Sequence, residues 1–212
     1  MAFPCTRVDS EDHPEVRRPP RLRSASLLPL AVPLLFLIVG LALAARHTIL
    51  EEWDGAQYIF AAREMAQGAG YAGWASHFWP PLYPLLILAL SPPMTAFAAG
   101  KLISVIAATL LLLVSYYLAI ELSGSRTVAL ASQLLLATNP LFLGTSLQCE
   151  NHMLDSLFYV SAIVLLIVSV RSGKIRWFMA AGACAGLAGL SRYTSLSLIP
   201  AAMVAIYWFT RL

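Results

Sequence analysis

The stretch LLPLAVPLLFLIVGLALAA, residues 27–45, decides the fold class. Its 19 residues carry no charge. A helix of this length crosses the roughly 30 Å hydrocarbon core of a membrane. Pro29 and Pro33 fall in the first two turns, where a proline disturbs a helix least. We therefore interpret the stretch as a membrane anchor.

The composition of the whole chain agrees with a membrane protein. Of the 212 residues, 59% are hydrophobic and only 12% are charged. Soluble domains carry about 25% charged residues, so most of this surface must face lipid. The net charge of +3 is too small to indicate a nucleic acid partner.

Further apolar runs predict an all-α polytopic protein with about six transmembrane helices, residues 27–212 forming one transmembrane domain. Leu82–Leu90 is too short to span and is followed by two prolines, so we expect a juxtamembrane or re-entrant helix. Residues 1–26, rich in Arg and Pro, predict a disordered cytoplasmic tail. The other predicted spans are residues 102–120, 127–143, 156–170, 177–190 and 196–210.

The distribution of Lys and Arg predicts the orientation. With the N-terminus in the cytoplasm, ten basic residues lie inside and four outside, as the positive-inside rule requires. If Leu82–Leu90 were a full span, Arg171, Lys174 and Arg176 would move outside. The first loop, residues 46–81, is therefore expected to be extracytoplasmic.

That loop is acidic and aromatic, and it predicts a helix along the membrane boundary over residues 54–67. Asp54 is a candidate N-cap with Gln57 completing a capping box, and Gly68 is a candidate C-terminal stop. A carboxylate at this boundary can accept a proton from a hydroxyl group. Asp54 is thus a candidate general base as well as a helix cap.

The loop also carries a family pattern. Asp54, Tyr58, Ala62, Gly68 and Tyr71 follow the form D-x-x-x-Y-x-x-x-A-x-x-x-x-x-G-x-x-Y, and P-P-L-Y-P follows at residues 80–84. This resembles the first extracytoplasmic loop of the membrane-embedded C-type glycosyltransferases, the superfamily of dolichyl-phosphate-mannose-protein mannosyltransferases and lipid A aminoarabinose transferases. Full-length relatives have more spans and often a soluble domain, so we expect this chain to correspond to their N-terminal part.

The resemblance implies transfer of a sugar from a polyprenyl-phosphate donor, with the loop aspartate as general base. Asp54 is the match, and Glu52 and Glu51 are nearby alternatives. The sequence does not identify the sugar or the acceptor, which can be a protein, a lipid or a glycan. Two other functions stay open: a truncated non-catalytic assembly partner, and a transporter or flippase.

A second acidic segment lies near the start of the span predicted at residues 156–170. Relatives often place an acidic residue here, and either Glu150 or Asp155 can be the match. Both carboxylates can also serve only as solvated helix caps. Since His152 adds only a third group at irregular spacing, the sequence does not indicate a metal site.

A lipid phosphate needs a cation at the outer boundary. Arg192 lies between two predicted spans on that side, where it either binds phosphate or extends to the interface. Lys101 and His77 are weaker candidates for donor phosphate binding. We expect an integral protein of the cell membrane, surrounded by membrane lipids, with its active-site loop outside.

Overall fold

The computed structural model describes residues 27–46, 53–71 and 78–211, and the regular structure of this part is helical. The all-α prediction is confirmed. The predicted tail, residues 1–26, lies outside the described residues. The helices in order are α1 (Leu28–Arg46), α2 (Trp53–Ala66), α3 (Leu82–Leu90), α4 (Ala96–Ser123), α5 (Arg126–Ala137), α6 (Pro140–Leu147), α7 (His152–Ser172), α8 (Ile175–Ser191), a 3₁₀ helix (Tyr193–Ser197) and α9 (Leu198–Arg211).

Within the described ranges, three helices are long and apolar enough to cross a membrane: α1, α4 and α7. The bent pair of α5 and α6 makes a fourth if it counts as one span. Helices α8 and α9 are apolar but shorter, with 17 and 14 residues. The chain is therefore an integral membrane protein, while the number of six spans stays a prediction.

Helix α4 is the centre of the bundle and packs against α1, α5 and α7. It begins six residues before the predicted start at Leu102, with the Thr95 side chain accepting from the Ala98 N–H at 3.2 Å. Lys101 does not interrupt it, because its ammonium group donates to the carbonyl of Ala44 in the last turn of α1. The charge is thereby partnered inside the bundle.

The span predicted over residues 127–143 is not one straight helix. The segment breaks into α5 and α6, which meet at 59°. The Asn139 side chain accepts from the N–H groups of Leu141 and Phe142 at 2.9 and 3.2 Å, so it caps a new helix. Pro140 disfavours helical geometry at Asn139 and suits the first turn of α6.

A glutamine in α5 repairs a gap in the backbone hydrogen bonds of α1. Pro33 has no N–H, so the carbonyl of Pro29 one turn earlier lacks its usual helical donor. The Gln133 side chain donates to that carbonyl at 3.2 Å and also to the carbonyl of Leu112 at 3.1 Å. Gln133 is fully buried, so this contact joins α1, α4 and α5.

The first-loop helix forms as predicted, with one correction. It begins at Trp53, so Asp54 lies in its first turn and is not the N-cap. Gly68 adopts φ +80°, and the N–H groups of Gly68 and Ala69 bond to the carbonyls of Met65 and Glu64. That is the glycine-terminated Schellman pattern, which confirms Gly68 as the stop.

Different residues lie at the two ends of the helix bundle. Asn151 before α7 donates to the carbonyl of Ser191 at the end of α8. Trp53 and Asp54 of α2 lie at the same end, because they line one cavity with Glu150 and Arg192. At the other end, Arg171 bonds to Glu121 near the close of α4. The two acidic segments named above therefore lie on one side, opposite Arg171.

Candidate active site

An open cavity of about 510 Å³ lies between α2, α6 and the adjoining ends of α7 and α8. This volume is within the range of about 300 to 1,000 Å³ that small-molecule sites occupy. Both acidic segments singled out in the sequence contribute a carboxylate, and Arg192 contributes a cation. The lining residues are Trp53, Asp54, Pro140, Leu141, Gly144, Thr145, Gln148, Glu150, His152 and Arg192.

Asp54 faces the cavity from the first turn of α2, and its side chain is exposed. Tyr58, one turn later on the same face, anchors the helix and is only 2% exposed. Its ring meets Tyr83 of α3 edge-on, with centroids 5.0 Å apart. Burial raises the pKa of Tyr58 far above its ordinary value, and the Asp54 carboxylate raises it further.

The spacing of the loop residues has a structural basis. Asp54, Tyr58 and Ala62 recur every four residues, and Tyr58 and Ala62 are both buried. The hydroxyl of Tyr71 donates to the carbonyl of Trp79, which brings the two ends of the next loop segment together. Burial raises the pKa of Tyr71 to about 12, so its hydroxyl stays a donor at neutral pH.

Glu150 is buried and lies on a short segment between α6 and α7. Side chains of α3 and α4 position this segment through hydrogen bonds. Ser104 of α4 donates to the Glu150 carbonyl at 2.9 Å, and the Ser104 hydroxyl lies 3.0 Å from the hydroxyl of Tyr83. Burial raises the pKa of the neighbouring Cys149 thiol to about 12. Tyr83 therefore supports both the helix that carries Asp54 and the segment that carries Glu150.

Glu150, His152 and Arg192 form a continuous row of hydrogen bonds. His152 Nε2 lies 2.8 Å from a Glu150 carboxylate oxygen, and His152 Nδ1 lies 2.5 Å from Arg192 Nη1. Arginine has only donors, so Nδ1 must accept. His152 Nε2 then faces the Glu150 carboxylate as a donor.

Arg192 reaches the cavity because α8 ends one residue before it. Its backbone is extended, with φ −151° and ψ 124°, and its N–H bonds back to the carbonyl of Ala188 at 2.7 Å. Asn151 holds the preceding residue, Ser191, through the Ser191 carbonyl. The guanidinium is thus placed by two elements that are 40 residues apart in sequence.

Asp155, the alternative to Glu150, does not line the cavity. It lies half-buried in the first turn of α7 and accepts from the Ser195 hydroxyl at 2.6 Å. Its charge is near Arg192 and His152. The sequence left open the choice between Glu150 and Asp155, and the geometry separates them. Glu150 lines the cavity, whereas Asp155 hydrogen-bonds to the 3₁₀ segment that follows Arg192.

The other predicted residues lie elsewhere. Lys101 is 7% exposed, with its ammonium 4.5 Å from the centroid of the Phe97 ring, and it does not line the cavity. Glu52, Glu51 and His77 lie outside the described residues. Within residues 27–46, 53–71 and 78–211, no three His, Cys, Asp or Glu side chains are placed to bind a metal ion.

Sequence reasoning missed part of the cavity wall. Trp53, Thr145 and Gln148 line it, and His152 was weighed only as a metal ligand. For Gln148 and His152 the signal was available, because polar side chains next to an acidic residue at the start of a span are often functional. For Thr145 there was none, since the break between α5 and α6 turns it toward the cavity.

Comparison with known proteins agrees with this architecture. The family model described as dolichyl-phosphate-mannose-protein mannosyltransferase matches residues 80–211, more than half of the chain. No curated protein matches, and no solved structure matches. The family points to membrane glycosyltransferase activity of the mannosyltransferase type and implies a lipid-linked sugar donor. The chain belongs to the dolichyl-phosphate-mannose-protein mannosyltransferase family.

Proposed function

We propose that this protein transfers a glycosyl group from a polyprenyl-phosphate-linked sugar to an acceptor at the extracytoplasmic face of the cell membrane. The supporting observation is that Asp54 and Arg192, from distant parts of the chain, line one cavity together with Glu150. The reaction needs a base for the acceptor and a cation for the phosphate. Both kinds of group are in reach of one small ligand.

In the proposed reaction, an acceptor hydroxyl attacks the anomeric carbon of the donor while Asp54 takes the hydroxyl proton. The bond between that carbon and the phosphate oxygen breaks, and polyprenyl phosphate leaves with the electron pair. Attack from the opposite face inverts the anomeric configuration. Because negative charge grows on the departing phosphate, Arg192 stabilises the transition state more than the ground state.

The other candidates have subsidiary places in this proposal. Glu150 contacts His152 and so supports Arg192. Glu52 is the alternative base if Asp54 proves dispensable. Lys101 and His77 stay candidate contacts to donor phosphate, and the reaction as written needs no divalent metal.

The test is transfer of radiolabelled sugar from a polyprenyl-phosphate donor into membranes that contain the protein. Asp54→Asn keeps the size of the side chain but removes the base, so transfer is expected to fall about 100- to 10,000-fold. Glu64→Gln is the matched control. It lies ten residues further along α2, about 15 Å from Asp54, and is expected to leave transfer unchanged.

Three outcomes would contradict all or part of the proposal. Equal transfer by wild type and Asp54→Asn would remove Asp54 from the mechanism. Uptake of the lipid-linked sugar into sealed vesicles without any transfer would indicate a transporter. Binding of the donor with neither transfer nor uptake would indicate a non-catalytic assembly partner.

A further inference from the structure

In the contact between His152 and Arg192, the guanidinium donates and a ring nitrogen of the imidazole accepts. Nδ1 accepts at 2.5 Å, and Nε2–H is left to donate to Glu150 at 2.8 Å. The imidazole therefore stands between the Glu150 carboxylate and the Arg192 guanidinium. A direct contact between these two charged groups would form an ion pair and weaken the attraction of the arginine for any other anion.

Among residues 27–46, 53–71 and 78–211, His152 is the side chain that hydrogen-bonds the Arg192 guanidinium. Arginine has five N–H bonds in a rigid fork, and the contact with His152 uses one of them. Arg192 is partly exposed and lines the cavity. Its remaining donors suit an anion with several oxygens, since the fork matches phosphate geometry.

We propose that His152 is a positioning residue, which aims the Arg192 guanidinium at the phosphate of the lipid donor and keeps Glu150 from neutralising it. The inference rests on the proposed function, because it takes the donor to be a lipid phosphate. It assigns His152 a role that acts through Arg192 and not through the sugar. In this proposal the acceptor atom Nδ1 positions Arg192, and the rest of the imidazole does not contact the donor.

Two substitutions separate the nitrogen atoms of the ring. His152→Asn places an amide oxygen close to the position of Nδ1, so it keeps an acceptor for Arg192 and loses the donor to Glu150. His152→Gln places its amide close to Nε2, so it keeps a donor to Glu150 and loses the acceptor for Arg192. A role limited to folding would not order the two variants in this way.

The first measurement is binding of a polyprenyl monophosphate, without sugar, to the full chain in lipid nanodiscs. His152→Gln is expected to weaken binding about 10- to 100-fold, the effect of a lost hydrogen bond to a charged group. His152→Asn is expected to stay within about threefold of wild type. Arg176→Gln, which removes an exposed cation at the far end of α8, is the charge control and is expected to have no effect.

The second measurement is a double-mutant cycle with Arg192→Gln. If His152 acts through Arg192, His152→Gln has no further effect on binding once Arg192 is gone. In transfer assays the loss in His152→Gln is expected mainly in KM for the donor. Thermal unfolding of every variant identifies any that misfolds. Only variants that fold like wild type enter the binding comparison.

The results distinguish the inference from the proposal beneath it. If wild type binds and transfers, but His152→Gln equals wild type or His152→Asn is equally impaired, the inference is wrong and the proposed function stands. An additive cycle with Arg192→Gln also overturns it. If wild type neither binds the lipid phosphate nor transfers sugar, both fail.

Discussion

The Tyr58 ring rests edge-on against the Tyr83 ring, with the centroids 5.0 Å apart and the planes at 70°. This contact joins the helix that carries Asp54 to the short helix α3. Tyr83 in turn donates to the Gly100 carbonyl at 2.9 Å, so α2 is tied through α3 to the central helix. The position of the candidate base therefore depends on a pair of buried aromatic rings.

Loss of this ring contact is expected to reduce stability and activity together. Tyr58→Ala removes a side chain that is 2% exposed and is expected to cost about 3 to 5 kcal/mol, as for other buried aromatic residues. Tyr58→Phe keeps the ring and is expected to cost much less. Thermal unfolding in detergent and sugar transfer measure the two effects. Full activity in Tyr58→Ala would show that α2 does not need this anchor.

Gln133 is expected to matter because Pro33 leaves a carbonyl without its helical donor. Gln133→Leu removes the amide that reaches the Pro29 carbonyl, at an expected cost of about 1 to 3 kcal/mol. Pro33→Ala restores a backbone N–H at that position. Gln133→Leu should therefore cost less free energy of unfolding in the Pro33→Ala background than in wild type. Equal losses in both backgrounds, measured by denaturation, would contradict this account.

Gly100 leaves room for the Cys149 side chain, so a methyl group there is expected to displace the segment that carries Glu150. An added Cβ would lie 2.2 Å from Cys149 Sγ and 3.3 Å from Tyr83 Oη. Gly100→Ala is expected to cost about 1 to 3 kcal/mol by overpacking and to lower transfer. Adding Cys149→Ala removes the clashing sulfur and should recover most of the loss. No recovery would mean that Gly100 is needed for another reason.

The orientation of the cavity can be tested by labelling from the two sides of the membrane. In a chain without its native cysteines, Gln67→Cys at the end of α2 is expected to react with an impermeant maleimide on intact cells. Lys174→Cys, before α8, is expected to react only after permeabilisation. Both positions are exposed, so access to solvent does not favour either one. The reverse pattern would place the cavity in the cytosol and end the proposed function.

The helices that the sequence predicted best are those whose ends have local chemical causes. The short helix Leu82–Leu90 was predicted with the observed bounds, because prolines flank the apolar run. Gly68 was predicted as a stop because only glycine adopts a positive φ without strain. The start of α4 was missed because Lys101 resembles a boundary residue, whereas its partner Ala44 is 57 residues away.

The sequence alone determined the lipid solvent, the helical class, the acidic loop and the short list of charged residues that carry chemistry. These properties depend on composition and on spacing within about two turns, both of which are visible along the chain. The tertiary structure decided which charges meet. Asp54, Glu150 and Arg192 share a cavity because Tyr83, Ser104 and Asn151 hold their segments together, and Asp155 and Lys101 bond elsewhere. Such contacts join residues that are tens of positions apart in the chain, and a local sequence pattern does not predict them.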